Sequence, residues 1–141
     1  MRRGVTLLDV IIVITVVGII TALAVPRVAT WTDQRAAARA ARELVNFYSH
    51  ARMSAIFRGS QVRLEFAPDT LRAAFEGVSD SVFLVRPGPK RHGVTLRASR
   101  SVIRIYPNGF GRGAANTKLV VRRGIAAESL TTSRLGRLKR W

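Results

Sequence analysis

The chain has 141 residues, of which 24 are Lys or Arg and 8 are Asp or Glu, so its formal net charge at pH 7 is +16. This length suits one domain of about 100–200 residues and excludes a large multidomain enzyme. A hydrophobic content of 48% excludes a disordered basic tail, and the absence of cysteine excludes disulfide scaffolds, thiol catalysis and zinc sites built on cysteine. Because the charge balance is strongly positive, with 21 Arg among the 24 cations, we expect a partner that carries phosphate, anionic lipid or acidic side chains.

The first predicted element is an apolar run of 21 residues, Val5 to Val25, that carries one charge, Asp9. About 20 helical residues at ~1.5 Å each cross a hydrocarbon layer of ~30 Å, so the run is long enough for one membrane span. Arg2 and Arg3 precede it and favour a cytoplasmic amino terminus, although the cations that follow the run weaken this preference.

Two other interpretations of this run are a cleaved secretory signal and a plain uncleaved anchor. Ala22 and Ala24 form an A-x-A cleavage site at a plausible distance from the basic start. Asp9 argues against both, because a carboxylate at the centre of a membrane costs ~2.5–3.5 kcal/mol. An ionisable residue in a membrane segment is by default functional, so we expect Asp9 to have a partner.

The amino terminus resembles the type IV prepilin signature. Gly4, Thr6, Leu7, the apolar run and Pro26 match it, whereas Val5 replaces the usual Phe and Asp9 replaces the usual Glu. The resemblance implies that a prepilin peptidase cuts after Gly4 and that the new first residue, Val5, is N-methylated. It also implies that Asp9 faces the amino terminus of a neighbouring subunit, where a buried carboxylate is compensated and sets the register of assembly.

Helical periodicity continues beyond Pro26, which we expect to kink or locally melt the helix. Small or apolar residues recur at +4 and +3 spacing on one face: Ala37, Ala41, Leu44, Tyr48, Ala51 and Ala55. Cations repeat on the opposite face: Arg35, Arg39 and Arg42. The sequence therefore predicts an amphipathic helix that packs its alanine face on a sheet and ends near Arg58 and Gly59.

After Gly59 the hydrophobic period changes from 3.6 to 2, which predicts a series of short strands separated by turns. The predicted strands are 61–67, 70–76, 81–86, 94–98, 101–106, 117–123 and 125–132. One long amino-terminal helix followed by short strands predicts an α+β fold with mostly antiparallel sheets and no second domain.

This layout resembles one branch of the pilin superfamily, the minor pseudopilin H of type II secretion and its FimT-like relatives among type IV minor pilins. The resemblance implies a leader at residues 1–4, a transmembrane and assembly segment at 5–26, an amphipathic helix at 27–59 and an antiparallel β domain with a basic tail at 60–141. It implies a single-pass inner-membrane subunit whose carboxy-terminal domain lies in the periplasm. Its partners would be prepilin peptidase and other pilin or pseudopilin subunits, with no small-molecule substrate.

Residues for catalysis, metal binding or a cofactor are sparse, and we expect none of these functions. The two histidines, His50 and His92, have no ligand at metal-binding spacing, and His50 is expected on the surface. The glycine-rich segment 109–113 leads into a predicted strand, so we expect a flexible hairpin loop there rather than a phosphate-binding helix.

The carboxy-terminal 56 residues, Arg86 to Trp141, carry a formal charge of +13. We expect cations such as Arg100, Arg104 and Arg122 to line one sheet face, and such a surface suits phosphate backbones. In FimT-like minor pilins a terminal Gly-Arg-x-Arg element is implicated in DNA uptake, and the corresponding candidates here are Arg134, Arg137, Lys139 and Arg140. Two hypotheses therefore remain: a structural pilin or pseudopilin subunit, and a DNA-binding minor pilin; a remote third is a secreted basic domain.

Overall fold

A computed structural model describes residues 6–77, 81–112 and 117–141. The chain divides after Thr32 into two compact units. A single helix, α1 (Leu7–Arg58), contributes its first turns to the first unit and its remaining turns to the second.

The first unit is the apolar part of α1. Its large hydrophobic side chains are exposed from Leu7 to Trp31, and an 18-residue window of the helix has a mean hydropathy of 2.7. In the described part of the chain, this is the one helix long and apolar enough to cross a membrane. The helix runs without a break through position 26, so the predicted local melting at Pro26 is wrong. One proline removes a single i→i−4 hydrogen bond, and the flanking turns keep theirs.

In the second unit, α1 is amphipathic as predicted. All six residues of the predicted apolar face are at most 1% exposed, and the three arginines of the opposite face are exposed. The helix ends in a Schellman motif, because Ser60 donates to the carbonyl of Ala55 and Gly59 donates to that of Ile56. Gly59 has a φ of 59°, the left-handed conformation that this cap requires.

The strands form two antiparallel sheets. They are β1 (Val62–Phe66), β2 (Thr70–Phe75), β3 (Ser81–Pro87), β4 (Thr95–Ala98), β5 (Val102–Ile105), β6 (Gly111–Arg112), β7 (Thr117–Arg123), β8 (Ala126–Thr132) and β9 (Leu138–Arg140). The first sheet has the order β3-β2-β1-β5-β6, and the second has the order β4-β7-β8-β9.

The predicted α+β class is confirmed, and three short elements are additional to the prediction. They are β6, β9 and a one-turn 3-10 helix at Pro89–His92. Each has four residues or fewer, too few to show a hydrophobic period. The predicted loop at 109–113 contains β6, and positions 113–116 lie outside the described residues.

One core joins α1 to both sheets. Leu44 and Tyr48 of the helix are buried together with Leu64 of the first sheet and Leu119 of the second. Because four positions of the buried helix face are alanine, larger side chains of the strands, such as Leu64 and Leu119, supply much of the volume of this core.

The carboxy-terminal turn is held against the end of α1. Arg52 donates from Nε to the carbonyl oxygen of Gly109 at 2.9 Å, and Gly111 donates to the carbonyl of Arg134 at 2.9 Å. Gly136 has a φ of 70°, and a Cβ there would overlap Gly109 O and Arg52 Nε. Gly109 and Gly136, which have no Cβ, therefore allow the turn before β9 to reach the helix.

We expect Gly136→Ala to lower the free energy of unfolding by about 2–3 kcal/mol, because it adds backbone strain and a clash with Gly109 and Arg52. Gly59→Ala is the matched control, since Gly59 also has positive φ but has open space around its Cβ position. The control should cost only the left-handed strain, about 1–2 kcal/mol. Urea unfolding of the chain in detergent, followed by circular dichroism, measures both. Equal losses of unfolding free energy in the two variants would show that Gly109 and Arg52 shift to accommodate the added methyl group at no energetic cost.

Candidate functional site

Asp9, the charged residue of the apolar segment, is bound by Thr6 just before α1 begins. The backbone N–H of Thr6 donates to Asp9 Oδ2 at 3.0 Å, and its hydroxyl donates to the same oxygen at 2.8 Å. The N–H of Asp9 in turn donates to Thr6 Oγ1 at 3.3 Å. This reciprocal pair is a capping box, and it places a negative charge at the positive end of the helix dipole.

The partner expected for Asp9 from the sequence lay outside the chain, and this partner within the chain was not predicted. The signal was present, because a threonine followed three residues later by an acid, ahead of an apolar run, is the capping-box pattern. The other residues predicted for this end, Gly4 and Val5, lie outside the described residues, and the side chain of Pro26 is likewise not described.

In the second unit, every carboxylate of the described residues has a cationic partner within the chain. The pairs are Asp33 with Arg123, Glu43 with Arg91 and His92, Glu65 with Arg63, Asp69 with Lys90, Glu76 with Arg104, and Glu128 with Arg140. Asp80 lies outside the described residues. All described carboxylates of the second unit therefore pair within the chain, and the cations that outnumber them give its surface a net positive charge.

One of the predicted DNA-binding residues, Arg140, is held in an ion pair with Glu128. Arg140 donates from Nε and Nη2 to the two carboxylate oxygens of Glu128, each at 2.8 Å. The hydrogen bond from Arg140 lowers the pKa of Glu128, while partial burial acts in the opposite direction. Arg140 is directly opposite the buried Leu130 in the β-ladder, which places its side chain on the core side of the second sheet.

The other three predicted cations are exposed, as Arg140 itself is. Lys139 Nζ lies 3.6 Å from the centroid of the Trp141 ring, a cation–π contact. Arg134 and Arg137 flank the turn that contains Gly136. Lys139 is directly opposite Thr131 and points away from the core, so neighbouring residues of β9 place their cations on opposite faces.

The outer face of the second sheet carries four exposed cations and no carboxylate among its described residues. These are Arg97 on β4, Lys118 and Arg122 on β7, and Lys139 on β9. Their neighbours Leu119 and Val121 are buried, which confirms the alternation along β7. We call this surface the cationic face. Arg97 and Lys118 were not among the cations predicted from the sequence for such a face, although each occupies a polar position of a period-2 strand.

The prediction that Arg100, Arg104 and Arg122 line one sheet face is wrong. Arg104 lies on β5 of the first sheet, where its Nε donates to Glu76 at 2.8 Å, whereas Arg122 lies on β7 of the second sheet. Arg100 lies between β4 and β5, where the chain passes from the second sheet to the first. Alternation along a strand is visible in a sequence, but the sheet to which a strand belongs is not.

A second charged cluster joins α1 to the 3-10 helix. Arg91 pairs with Glu43 Oε1, and His92 Nε2 lies 3.0 Å from Glu43 Oε2. Partial burial opposes ionisation of Glu43, yet its hydrogen bonds with Arg91 and His92 leave its pKa below the usual value. His50 is exposed, as predicted. Within residues 6–77, 81–112 and 117–141, no three acids and histidines are arranged to hold a metal ion.

Comparison with known proteins agrees with this architecture. Residues 40–136 match the family described as type II transport protein GspH. The fold is similar to crystal structures of the type IV minor pilin FimU of Pseudomonas aeruginosa PAO1 in two space groups, with 14% identity in both. The TM-scores are 0.64 and 0.62, covering 73% of this chain and 86% and 90% of FimU. No curated protein matches significantly in sequence.

The family match covers more than half of the chain and includes about the last third of α1, all of β1 to β8 and the turn at Gly136. The family is one of structural subunits rather than enzymes. The chain therefore belongs to the family of type II transport protein GspH and is a minor pseudopilin or pilin-like protein.

Proposed function

We propose that this chain is a minor subunit of a type II secretion pseudopilus or a type IV pilus, and that it acts mechanically by joining the filament or its tip. The observation that carries this proposal is the apolar part of α1, whose large side chains are exposed to the surroundings of the chain. Such a surface needs either lipid or the apolar helices of neighbouring subunits. A subunit that moves from bilayer to filament uses both in turn.

In this proposal the leader, residues 1–4, is removed by prepilin peptidase, and Val5 becomes an N-methylated terminus. Residues 5–26 hold the chain in the inner membrane until it is extracted, with Arg2 and Arg3 at the cytoplasmic end. Residues 27–59 continue the helix into the β domain, residues 60–141, which lies in the periplasm. Retention of the apolar helix after cleavage distinguishes this route from secretion.

Asp9 combines two roles in this proposal. Its hydrogen bonds with Thr6 close the first turn of α1, which satisfies backbone groups that lipid cannot. The carboxylate also offers a negative charge to the ammonium group of a neighbouring subunit's amino terminus. Together with Pro26, which marks the boundary of the assembly segment, Asp9 would set the register between subunits.

A second candidate function is DNA binding during DNA uptake, and one observation favours it. In the described part of the second unit, no carboxylate pairs with the cationic face or with the exposed Arg134 and Arg137. The carboxylates of this unit pair with other cations. Arg and Lys side chains on such a surface can reach phosphates. No helix lies at the carboxy-terminal end of the described chain, so binding would lack major-groove readout.

Processing is tested by the intact mass of the protein purified from membranes. We expect a mature chain that begins at Val5 and carries one methyl group, because Gly4 offers the small side chain that the peptidase family accepts. Gly4→Leu should remain uncleaved, and Ala24→Leu, the matched control, should be processed normally. A mature chain that starts at Val25 would contradict the proposal and favour a secretory signal.

The role of Asp9 is tested by incorporation into filaments. Asp9→Asn keeps an oxygen that can accept from Thr6 but loses the charge, so we expect it to leave the helix intact and reduce incorporation. Thr6→Ala is the matched control, because it removes the capping hydroxyl and keeps the carboxylate; we expect it to assemble. Asp9→Glu should assemble at least as well as the original chain. Normal incorporation of Asp9→Asn would refute the pairing with a neighbouring subunit.

DNA binding is tested by titrating the chain in detergent with duplex DNA at several salt concentrations. The log–log slope should be about −0.9 per phosphate contacted. Replacing Arg137, Lys139 and Arg140 by Ala should flatten the slope by about 1.8 rather than ~2.7, because Arg140 is held by Glu128.

The control for this titration is a triple alanine variant with the same change in charge on other surfaces of the second unit, at Arg39, Arg72 and Arg86. It should leave the slope nearly unchanged. An equal change in both variants would mean that binding depends on net charge and not on this region. Absence of binding at low salt would leave the structural subunit as the sole function.

A further inference from the structure

A groove of about 490 Å³ lies between α1 and the carboxy-terminal segment 136–139. On the helix side it runs from Val45 to Met53, a distance of about 12 Å at 1.5 Å per residue. An extended chain rises about 3.3 Å per residue, so the groove has room for about four residues of a strand. The described residues of its lining combine apolar side chains with the cations Arg52, Arg137 and Lys139, and include no carboxylate.

One side of the groove is the free edge of a sheet. Within the described residues, β9 pairs with β8 alone, and the described lining of the groove consists of α1 and residues 136–139, with no residue of β8. The groove therefore lies on the side of β9 that β8 leaves open. The backbone N–H and C=O groups of Lys139 and Trp141 point towards β8, since Trp141 and Ser129 exchange both hydrogen bonds. By antiparallel alternation, the N–H and C=O groups of Leu138 and Arg140 point to the open side.

A buried hydroxyl also lacks a partner at this groove. Tyr48 is 1% exposed, lines the groove and has no hydrogen-bond partner for its hydroxyl in the described structure. Burial raises the pKa of Tyr48 above its usual value, while Arg52 acts in the opposite direction, so the hydroxyl stays protonated near neutral pH. A buried hydroxyl without a partner is unfavourable, and a carbonyl or carboxylate that reached it would relieve this.

We propose that this groove binds an extended, acidic segment of another protein, which adds to the free edge of β9 as a fifth strand of the second sheet. The backbone groups of Leu138 and Arg140 supply the strand pairing, and Arg52 and Arg137 select acidic side chains. A second copy of this chain does not fit, because its described carboxylates already pair within the chain. The assignment of the acidic segment to another filament subunit rests on the proposed function. The preference of the groove for an extended, acidic segment does not.

Binding is measured with the full-length chain in uncharged detergent and a fluorescein-labelled peptide, DVEVDV. The peptide DPEPDP has the same charge but cannot pair as a strand, and KVKVKV has the opposite charge. We expect DVEVDV alone to bind. Hydrogen exchange of the Leu138 and Arg140 amides should slow at least about tenfold when it binds, because strand pairing protects them. Equal binding of DPEPDP, or unchanged exchange at both amides, would overturn strand addition.

Three variants and one charge control locate the site. Arg137→Glu should weaken binding about tenfold at low salt, and Arg97→Glu, an equal change in charge at the far edge of the sheet, should weaken it much less. Ser49→Trp fills the groove from an exposed helix position and should abolish binding. Tyr48→Phe should weaken binding without lowering the stability of the free chain, since it removes a hydroxyl that has no partner.

Several outcomes would overturn the proposal. Equal loss in Arg97→Glu and Arg137→Glu would show attraction by overall charge. Full binding by Ser49→Trp would place the peptide elsewhere. Binding of duplex DNA that is lost in Ser49→Trp, together with displacement of the peptide by that DNA from the unsubstituted chain, would make the groove a nucleic-acid site. Because no filament is required, a failure of peptide binding leaves the proposed assembly function standing, and a failure of leader cleavage leaves the groove intact.

Discussion

The second unit depends on one constraint, the packing of two sheets against the same helix face in a single core. Ala37, Ala41, Ala51 and Ala55 are completely buried, and larger residues on that face, such as Leu44 and Tyr48, fill the space between the sheets. Each alanine leaves room on the helix face for a larger side chain of a strand, and such side chains are buried in the same core. A methylene added at these positions would push a sheet away and disturb the core on both sides.

The close packing also decides where charge can go. With α1 and two sheets sharing one core, ionisable groups lie at its margins, where each carboxylate of the described second unit meets a cation of the same chain. The pairs of Asp33 with Arg123 and of Glu43 with Arg91 tie α1 to β7 and to the 3-10 helix. Exposed pairs of this kind add little stability individually. Their larger effect is to leave a surface on which the remaining charge is positive.

The first unit follows a different rule, because its helix has no core of its own. Its large side chains from Leu7 to Trp31 are exposed, and the hydrogen bonds between Thr6 and Asp9 complete its first turn. A helix of this composition is stable in lipid or among other apolar helices, and the capping box satisfies backbone groups in either setting. The same two residues therefore suit both environments that the proposed function requires.

Composition and periodicity were sufficient for the long helix, its buried face, its end at Arg58 and most of the strands. These features depend on side chains spaced along a few turns or one strand, and that spacing is visible in the sequence. The exposed arginines opposite the alanine face and the exposed His50 follow from the same local geometry. The match of residues 40–136 to a known family agrees with the fold that this pattern predicts.

Contacts between distant residues decided the rest. The division of the strands into two sheets separates Arg104 from Arg122, and the ladder of β8 with β9 sends Arg140 to Glu128 while Lys139 points outward. The approach of Gly136 to Gly109 and Arg52 joins positions far apart in the chain and creates the groove beside Tyr48. Sequence determines which face of a strand is polar, because alternation is local; only the tertiary structure decides which strands are neighbours, because pairing depends on chain segments that no local pattern relates.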